Sequence, residues 1–341
     1  MNFRTEEVKM NEAAIWLSEE EITSLVSLKD TVGALEDGVR QLGKGEAFNV
    51  TKALGSIGSA SSMHSLGSAM VKAGFCGYKN WINTPNGAKA VFVLFDTNEG
   101  RLLAVMEANC LGQLRTSAIT GLGTQWVARS GANDMAMIGT GRQALAQVAA
   151  IHLVRPLKRI RIWSPTPERR RAFCSLVAEQ FDIDVVEATT LEAATDGASI
   201  VTTVTRAREP FLKAEMLARG AHLNAVGAIL PVNAEFNQDV FARVGFIAVD
   251  DVANARKASR ELIDYFEKGP GAGDWDKVRP LGSVIADHES APDDCDLTLF
   301  KSMGMGISDL TVAALAYQRA VENGRGTPFP LTSKATIRWT N

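Results

Sequence analysis

The stretch Asp134-Met135-Ala136-Met137-Ile138-Gly139-Thr140-Gly141-Arg142-Gln143-Ala144 decides how the rest of the chain is read. Its apolar residues make a short strand, and two glycines turn that strand into helix-forming sequence. Gly139 can take the backbone conformation of a tight strand-to-helix turn, and Gly141 puts no side chain between the backbone amides and a pyrophosphate. Ala144 lets the following helix, Arg142 to about Val154, lie close on the strand. The start of that helix offers free N–H groups and a positive dipole end to an anion. Glycine pairs also serve ordinary turns, so the pattern alone is weak. Its surroundings strengthen it: Arg159-Ile-Arg-Ile-Trp163 reads as a second strand and completes a βαβ unit.

Working outward, the C-terminal side alternates. Residues 167–179 read as helix, 184–187 as strand, 191–194 as a helical turn, and 199–204, 221–227 and 246–249 as strands. This order predicts a parallel, doubly wound sheet with its ligand crevice at the strand C-terminal ends. On the N-terminal side, Ser18 caps one helical region over 19–43. Residues 55–74 are rich in Gly, Ser and Ala, which reads either as a mobile loop or as a segment that folds over a ligand. Residues 77–82, 90–96 and 101–107 read as strands of an antiparallel hairpin in a mixed sheet. Residues 115–129 read as a helix of small residues, suited to close packing or to close approach of a ligand.

Composition bounds the function. The 341 residues suffice for two domains, and 46% apolar with 22% charged residues is ordinary for a soluble globular protein. A net charge of -3 gives no reason to expect nucleic acid. Cys76, Cys110, Cys174 and Cys295 lack metal or disulfide spacing, and His64, His152, His222 and His288 are scattered, so no metal site is expected and each histidine reads as structural. The N-terminus, Met1 to Lys9, has no signal-peptide core, and no apolar run reaches the roughly 20 residues of a membrane span. A cytoplasmic protein is expected.

Several stretches together, in order and spacing, resemble the ornithine cyclodeaminase and mu-crystallin family over nearly the whole chain. They are Leu-Arg115-Thr116-Ser-Ala118, Ile-Gly139-Thr-Gly141-Arg142-Gln143-Ala144, Ile-Val-Thr-Thr-Val-Thr205, Gly220-Ala-His-Leu-Asn224-Ala-Val226-Gly227, and Leu-Phe300-Lys-Ser302-Met303-Gly304-Met-Gly-Ile-Ser-Asp309-Leu. The resemblance implies an α/β fold: a Rossmann doubly wound parallel sheet (119–309) inserted in a smaller mixed α+β substrate and dimerisation domain (1–118 plus 310–341). It implies a homodimer and nicotinamide chemistry on small amino or imino acids. By the same resemblance Lys79 and Arg115 are catalytic and substrate-facing, with Lys52 and Met303 also at the substrate. Arg115, Thr116, Gly139, Gly141, Arg142, Gln143, Thr205, Val226 and Ser302 follow the cofactor. A guanidinium fork suits a carboxylate, and a buried ammonium shifts its pKa readily. Without the resemblance, Lys79 reads as a solvated strand residue and Arg115 as a helix-start arginine paired with an acid.

Three departures refine this. Deaminating relatives keep an acid where this chain has Ile229, and isoleucine cannot shuttle protons, which favours a single imine reduction over cyclodeamination. Lys52 stands roughly where relatives place a carboxylate-binding arginine. The second strand ends in Ser164-Pro165-Thr166-Pro167-Glu168-Arg169-Arg170, with no acid to hold a ribose 2'-hydroxyl. Ser164, Thr166 and Arg169 or Arg170 suit a 2'-phosphate, so NADP(H) is favoured and NAD(H) possible; the arginines read equally as a solvated helix face. The leading expectation is an NAD(P)H-dependent imine or ketimine reductase acting on a pyrroline-2-carboxylate-like substrate. The alternatives are an amino acid dehydrogenase or ornithine cyclodeaminase, and an NADPH-loaded binding protein of mu-crystallin type.

Overall fold

A computed structural model describes residues 13–58, 60–331 and 336–340; the Met1 to Lys9 stretch read above for targeting signals lies outside them. The chain opens with β1 (Ala14–Leu17), α1 (Glu19–Leu25), α2 (Leu28–Gly43), β2 (Ala47–Asn49), β3 (Ala53–Ile57), β4 (Ser61–Met70), β5 (Phe75–Thr84), β6 (Gly87–Asp96) and β7 (Leu102–Glu107). A long helix, α3 (Asn109–Val127), leads to β8 (Asp134–Ile138), α4 (Ala144–Val154), β9 (Arg159–Trp163), α5 (Pro167–Gln180), β10 (Asp184–Glu187), α6 (Leu191–Thr195) and β11 (Ile200–Thr203). Then follow β12 (Ala221–Ala225), β13 (Val244–Val249), α7 (Val252–Ala258), α8 (Arg260–Phe266), β14 (Val278–Pro280), α9 (Leu281–Ala286), β15 (Leu297–Lys301), α10 (Gly306–Glu322) and β16 (Thr327–Phe329).

These strands make two sheets. One runs β16-β1-β7-β6-β5-β4-β2, with β3 also on β4, and is antiparallel except between β1 and β7. The other, β10-β9-β8-β11-β12-β15-β13-β14, is parallel throughout. The central strands β8, β11, β12 and β15 of the parallel sheet are buried on both faces, as helices on either side require. The expected α/β class, a doubly wound parallel sheet beside a mixed sheet, is the observed one.

Two local expectations are corrected. The helical region 19–43 is two helices, because Ser27 starts a new one with its own capping box to Asp30. The Gly/Ser-rich stretch 55–74 is mostly the strands β3 and β4, paired on both sides of β4. One of its glycines has a packing role: a Cβ on Gly67 would lie 2.3 Å from the Tyr78 ring, so the missing side chain makes room for a cross-strand aromatic.

Helix α3 begins six residues earlier than expected, where the Glu19 carboxylate accepts the N–H groups of Asn109 (2.6 Å) and Cys110 (2.7 Å). It is the shared spine of the two sheets. A Cβ on Gly123 would meet the Phe300 ring of β15 at 2.4 Å, and one on Gly121 would meet the Ala150 carbonyl of α4 at 3.1 Å. The histidines are structural where their contacts are clearest. Buried His222 lies 2.8 Å from Thr298 Oγ1 and 3.0 Å from Asn224 Oδ1, and burial pushes its pKa down to about 3. Among the described residues no helix is long and apolar enough to cross a membrane, and no cluster of His, Cys, Asp or Glu could hold a metal.

Helix α10 packs on β4 and β5 through its first residue. A Cβ on Gly306 would fall 2.1 Å from the Gly67 carbonyl oxygen, so any side chain there pries the helix off the sheet. Gly306→Ala is expected to cost about 2 kcal/mol and lower the midpoint of thermal unfolding by several degrees. An unchanged melting temperature by calorimetry would contradict this close contact.

Candidate active site at the ends of the parallel strands

The site begins with a lysine in a strand. Lys79 lies in β5 on the face that carries its cross-strand neighbours Leu66 and Phe92, and only 4% of it is exposed. A buried ammonium needs a partner, and Asp309 of α10 provides it: Nζ donates to Oδ1 at 2.6 Å. Arg115, on the second turn of α3, brings its Nε to 3.4 Å from the same oxygen. Lys52, between β2 and β3, joins them; its Nζ lies 5.5 Å from the Trp81 ring centre, over which Lys79 Nζ also sits at 5.1 Å. His64 stacks on that indole at 4.5 Å.

Two cations therefore contact one carboxylate, and a third, Lys52, lies near enough to feel its charge. Burial and the Arg115 charge pull the Lys79 pKa down to about 8, against the opposing pull of Asp309. Burial lowers Lys52 too, helped by Arg115 and Lys257. Asp309 Oδ2 and Arg115 Nε are buried without hydrogen-bond partners among the described residues. An excess of positive charge around an unfilled donor suits a small carboxylate, and the unfilled acceptor suits an N–H beside it.

The glycine turn lies beside this cluster. Gln113 Nε2 donates to the Arg142 carbonyl at 3.1 Å, so the turn of α3 that carries Arg115 and Thr116 abuts the start of α4. Gly139 has φ +109°, which L side chains rarely adopt, and a Cβ there would lie 2.9 Å from the Val204 carbonyl. A Cβ on Gly141 would meet nothing within 4 Å, and Gln143 Oε1 is buried without a partner among the described residues. Open backbone at the first turn and an unused polar atom next to it fit a dinucleotide's phosphates. Thr205, Val226 and Ser302 follow β11, β12 and β15, on the same edge of the sheet. Ser302 and the N–H groups of Met303 and Gly304 bind the buried Asp250 carboxylate at 2.8–3.0 Å. A Cβ on Gly304 would sit 3.0 Å from Arg115, so this stapled loop backs the guanidinium.

Some expected residues are placed elsewhere. The Met303 side chain packs into the apolar cluster beneath the sheet with Val249 and Leu299. Arg170, one of two arginines read for a 2'-phosphate, is buried and committed to Glu187 (2.9 Å) and the Ser164 carbonyl (3.0 Å). Ser164 is itself buried, and its hydroxyl accepts from Thr140 at 3.2 Å. Thr166 and Arg169 are exposed at the same turn. Sequence reasoning gave no role to Asp309, Trp81 or Asp250. A signal for Asp309 was present: an acid flanked by Gly306-Ile307-Ser308 and Leu310 would be buried by the pattern that buries its neighbours, and a buried acid demands a cation.

The model of the ornithine cyclodeaminase/mu-crystallin family matches residues 13–324. The Delta(1)-pyrroline-2-carboxylate reductase of Bacillus cereus is 30% identical over 237 residues, covering 69% of this chain and 72% of its own. The ketimine reductase mu-crystallin of Mus musculus is 33% identical over 230 residues, 67% of this chain and 69% of its own. Among solved structures, an archaeal alanine dehydrogenase dimer with bound NAD superposes with a TM-score of 0.86 at 26% identity, over 94% of this chain and 99% of that one. Matching motifs, two sheets joined by α3 and a family model spanning nearly every described residue lead to one conclusion: the chain belongs to the ornithine cyclodeaminase/mu-crystallin family.

Proposed function

We propose that the protein is an NAD(P)H-dependent reductase of small imino acids, acting on a carbon-nitrogen double bond beside a carboxylate, as in pyrroline-2-carboxylate. The observation that carries this reading is the cluster of Lys52, Lys79 and Arg115 around Asp309, set against the α3 turn that touches the Gly139 to Gly141 loop. Of the relatives named above, one is a pyrroline-2-carboxylate reductase and one a ketimine reductase, which supports it.

Gly139, Gly141, Arg142 and Gln143 would hold the pyrophosphate, with Thr116, Thr205, Val226 and Ser302 along the remainder of the cofactor. The bound nicotinamide supplies the hydride. Arg115 and Lys52 grip the substrate carboxylate, and Lys79, steadied by Asp309, donates the proton that the imine nitrogen gains. With Ile229 on an exposed loop, the chain offers no acid there for ammonia elimination. The proposal includes the division into 1–118 plus 310–341 for substrate and 119–309 for cofactor. It also includes a cytoplasmic setting, which the four free thiols suit.

NADPH is the favoured cofactor in this reading, because no acid ends β9 and Arg169 is exposed beside Thr166. Purified protein is expected to oxidise NADPH, and NADH less well, with pyrroline-2-carboxylate. Arg115→Ala is expected to lose about 100-fold in kcat/KM, the value of a charge-assisted hydrogen bond to the carboxylate. Failure to bind either cofactor sinks the proposal, and a kcat/KM ratio that favours NADH reverses the cofactor preference.

The lowered Lys79 pKa gives a second test. Imine reduction uses the ammonium form, which is lost as pH rises through about 8, so the reductive rate should fall above that pH. Amino acid oxidation uses the neutral amine and should rise over the same interval. A reductive profile flat from pH 7 to 10, about the span that one group near 8 titrates, assigns the proton to another donor.

A homodimer is part of the proposal. On the outward face of the mixed sheet, Ile82 pairs with Met63 and Val91 with Asn80 across the strands, and Phe48, Met63, Tyr78, Ile82 and Val91 are all exposed. A sheet face with five exposed large apolar side chains, interspersed with Asn80 and Lys89, fits a second copy of itself. The double variant Ile82→Asp, Val91→Asp should run at monomer mass in light scattering where the parent runs at twice that. An unchanged mass would place the dimer contact elsewhere.

A further inference from the structure

Three buried ionisable side chains behind the strand ends take no part in the chemistry above: Glu235, Glu261 and Lys301. Glu235 is the centre. One of its oxygens accepts the N–H of Thr205 at 2.6 Å and the Thr205 hydroxyl at 2.8 Å; the other accepts the N–H groups of Gly227 at 2.8 Å and Ala228 at 3.2 Å. A single carboxylate thus ties the loop after β11 to the loop after β12. The tie extends to a third strand, because Lys301 at the end of β15 donates to the Ala228 carbonyl at 2.7 Å and lies 3.5 Å from Glu261. Glu261 in turn accepts the Glu235 N–H at 3.0 Å.

The loops so joined leave no slack. A Cβ on Gly227 would fall 2.1 Å from the Thr205 carbonyl oxygen and 2.5 Å from Glu235 Oε1, and Gly139 presses on the Val204 carbonyl from the opposite side. A dinucleotide seated on the Gly139 turn with its adenosine ribose at the end of β9 has its other half over β11 and β12, on the way to Arg115 and Lys79. We infer that Glu235 is a positioning residue for that nicotinamide half: it fixes the relative height of the Thr205 and Gly227 loops that form the floor beneath the ring.

This rests on the cofactor site proposed above, and the experiment separates the two. ADP-ribose carries the adenosine and both phosphates but no nicotinamide, so its affinity reports on the Gly139 side alone. Calorimetric binding of NADH and of ADP-ribose is compared in the parent, Glu235→Gln and Glu235→Asp, with near-ultraviolet circular dichroism to verify the fold. The Gln variant turns an NH2 group toward N–H donors and leaves them unpaired. It is expected to weaken NADH about tenfold while moving ADP-ribose less than about threefold. The Asp variant, which keeps the charge and shortens the reach, should show the same split in smaller measure and decides the matter if the Gln variant does not fold. Equal weakening of both ligands, or of neither, overturns the role of Glu235 with the cofactor site intact. A parent protein that binds neither of these ligands, and not NADPH either, overturns it together with that site.

Discussion

The contact between Lys79 and Asp309 joins residues 230 positions apart, at 2.6 Å, with both side chains almost fully out of water. Such a pair does not exist for stability. The cost of stripping two ions of water is roughly matched by their attraction, while loss of one partner strands the other at a cost of about 3–5 kcal/mol. What the pair fixes is geometry: it ties β5 of the mixed sheet to α10, the helix that follows the last central strand of the parallel sheet. Arg115 shares the same oxygen, and the cluster is left with more positive charge than Asp309 balances. An anion that enters completes a set of charges the fold has already desolvated, so much of the cost of binding it is met during folding.

The same economy governs how the two sheets meet. Helix α3 is rich in small residues, three Gly and three Thr with Ser, Ala and Cys, and it is wedged between α2 and α10 on one side and α4, β12 and β15 on the other. At Gly123 its neighbour comes closer than any side chain permits, and at Gly121 the fit is tight. The wedge carries Arg115 toward the lysine and Gln113 toward the glycine turn from a single helical turn. A shift of α3 along its axis by one residue, about 1.5 Å, would misplace both at once.

What the sequence disclosed follows from how local each signal is. The turn at Gly139 was legible because a positive φ and an open approach leave their mark in the residues that make them. The alternation of strands and helices after it was legible for the same reason, through period and punctuation. The strands β3 and β4 were not, since their Gly and Ser content looks like a loop until Tyr78, on the next strand, explains the space. Ser27 was missed as a helix start because the apolar spacing runs through it. Asp309 stood in a quoted motif with no role, since its meaning depends on Lys79, which only the fold brings near. Arg170 was read for a ligand and is spent on Glu187, another partner that no local pattern reveals.

One device recurs where backbone must be held at the site. The Glu19 carboxylate takes the first two N–H groups of α3, Asp250 takes those of Met303 and Gly304, and Glu235 takes those of Thr205, Gly227 and Ala228. Loops at strand ends have no ladder to satisfy their donors, and water would satisfy them at the price of mobility. A carboxylate accepts several donors at once through charge-assisted bonds about twice as strong as neutral ones, and it does so from a side chain rooted in a separate element. Each acid thereby transfers the rigidity of its own segment to a stretch that has none. Because all three serve the edge where β11, β12 and β15 end or the helix that bears Arg115, stiffness is concentrated at the strand ends beside the cation cluster, and it is set there by anions rooted in separate elements.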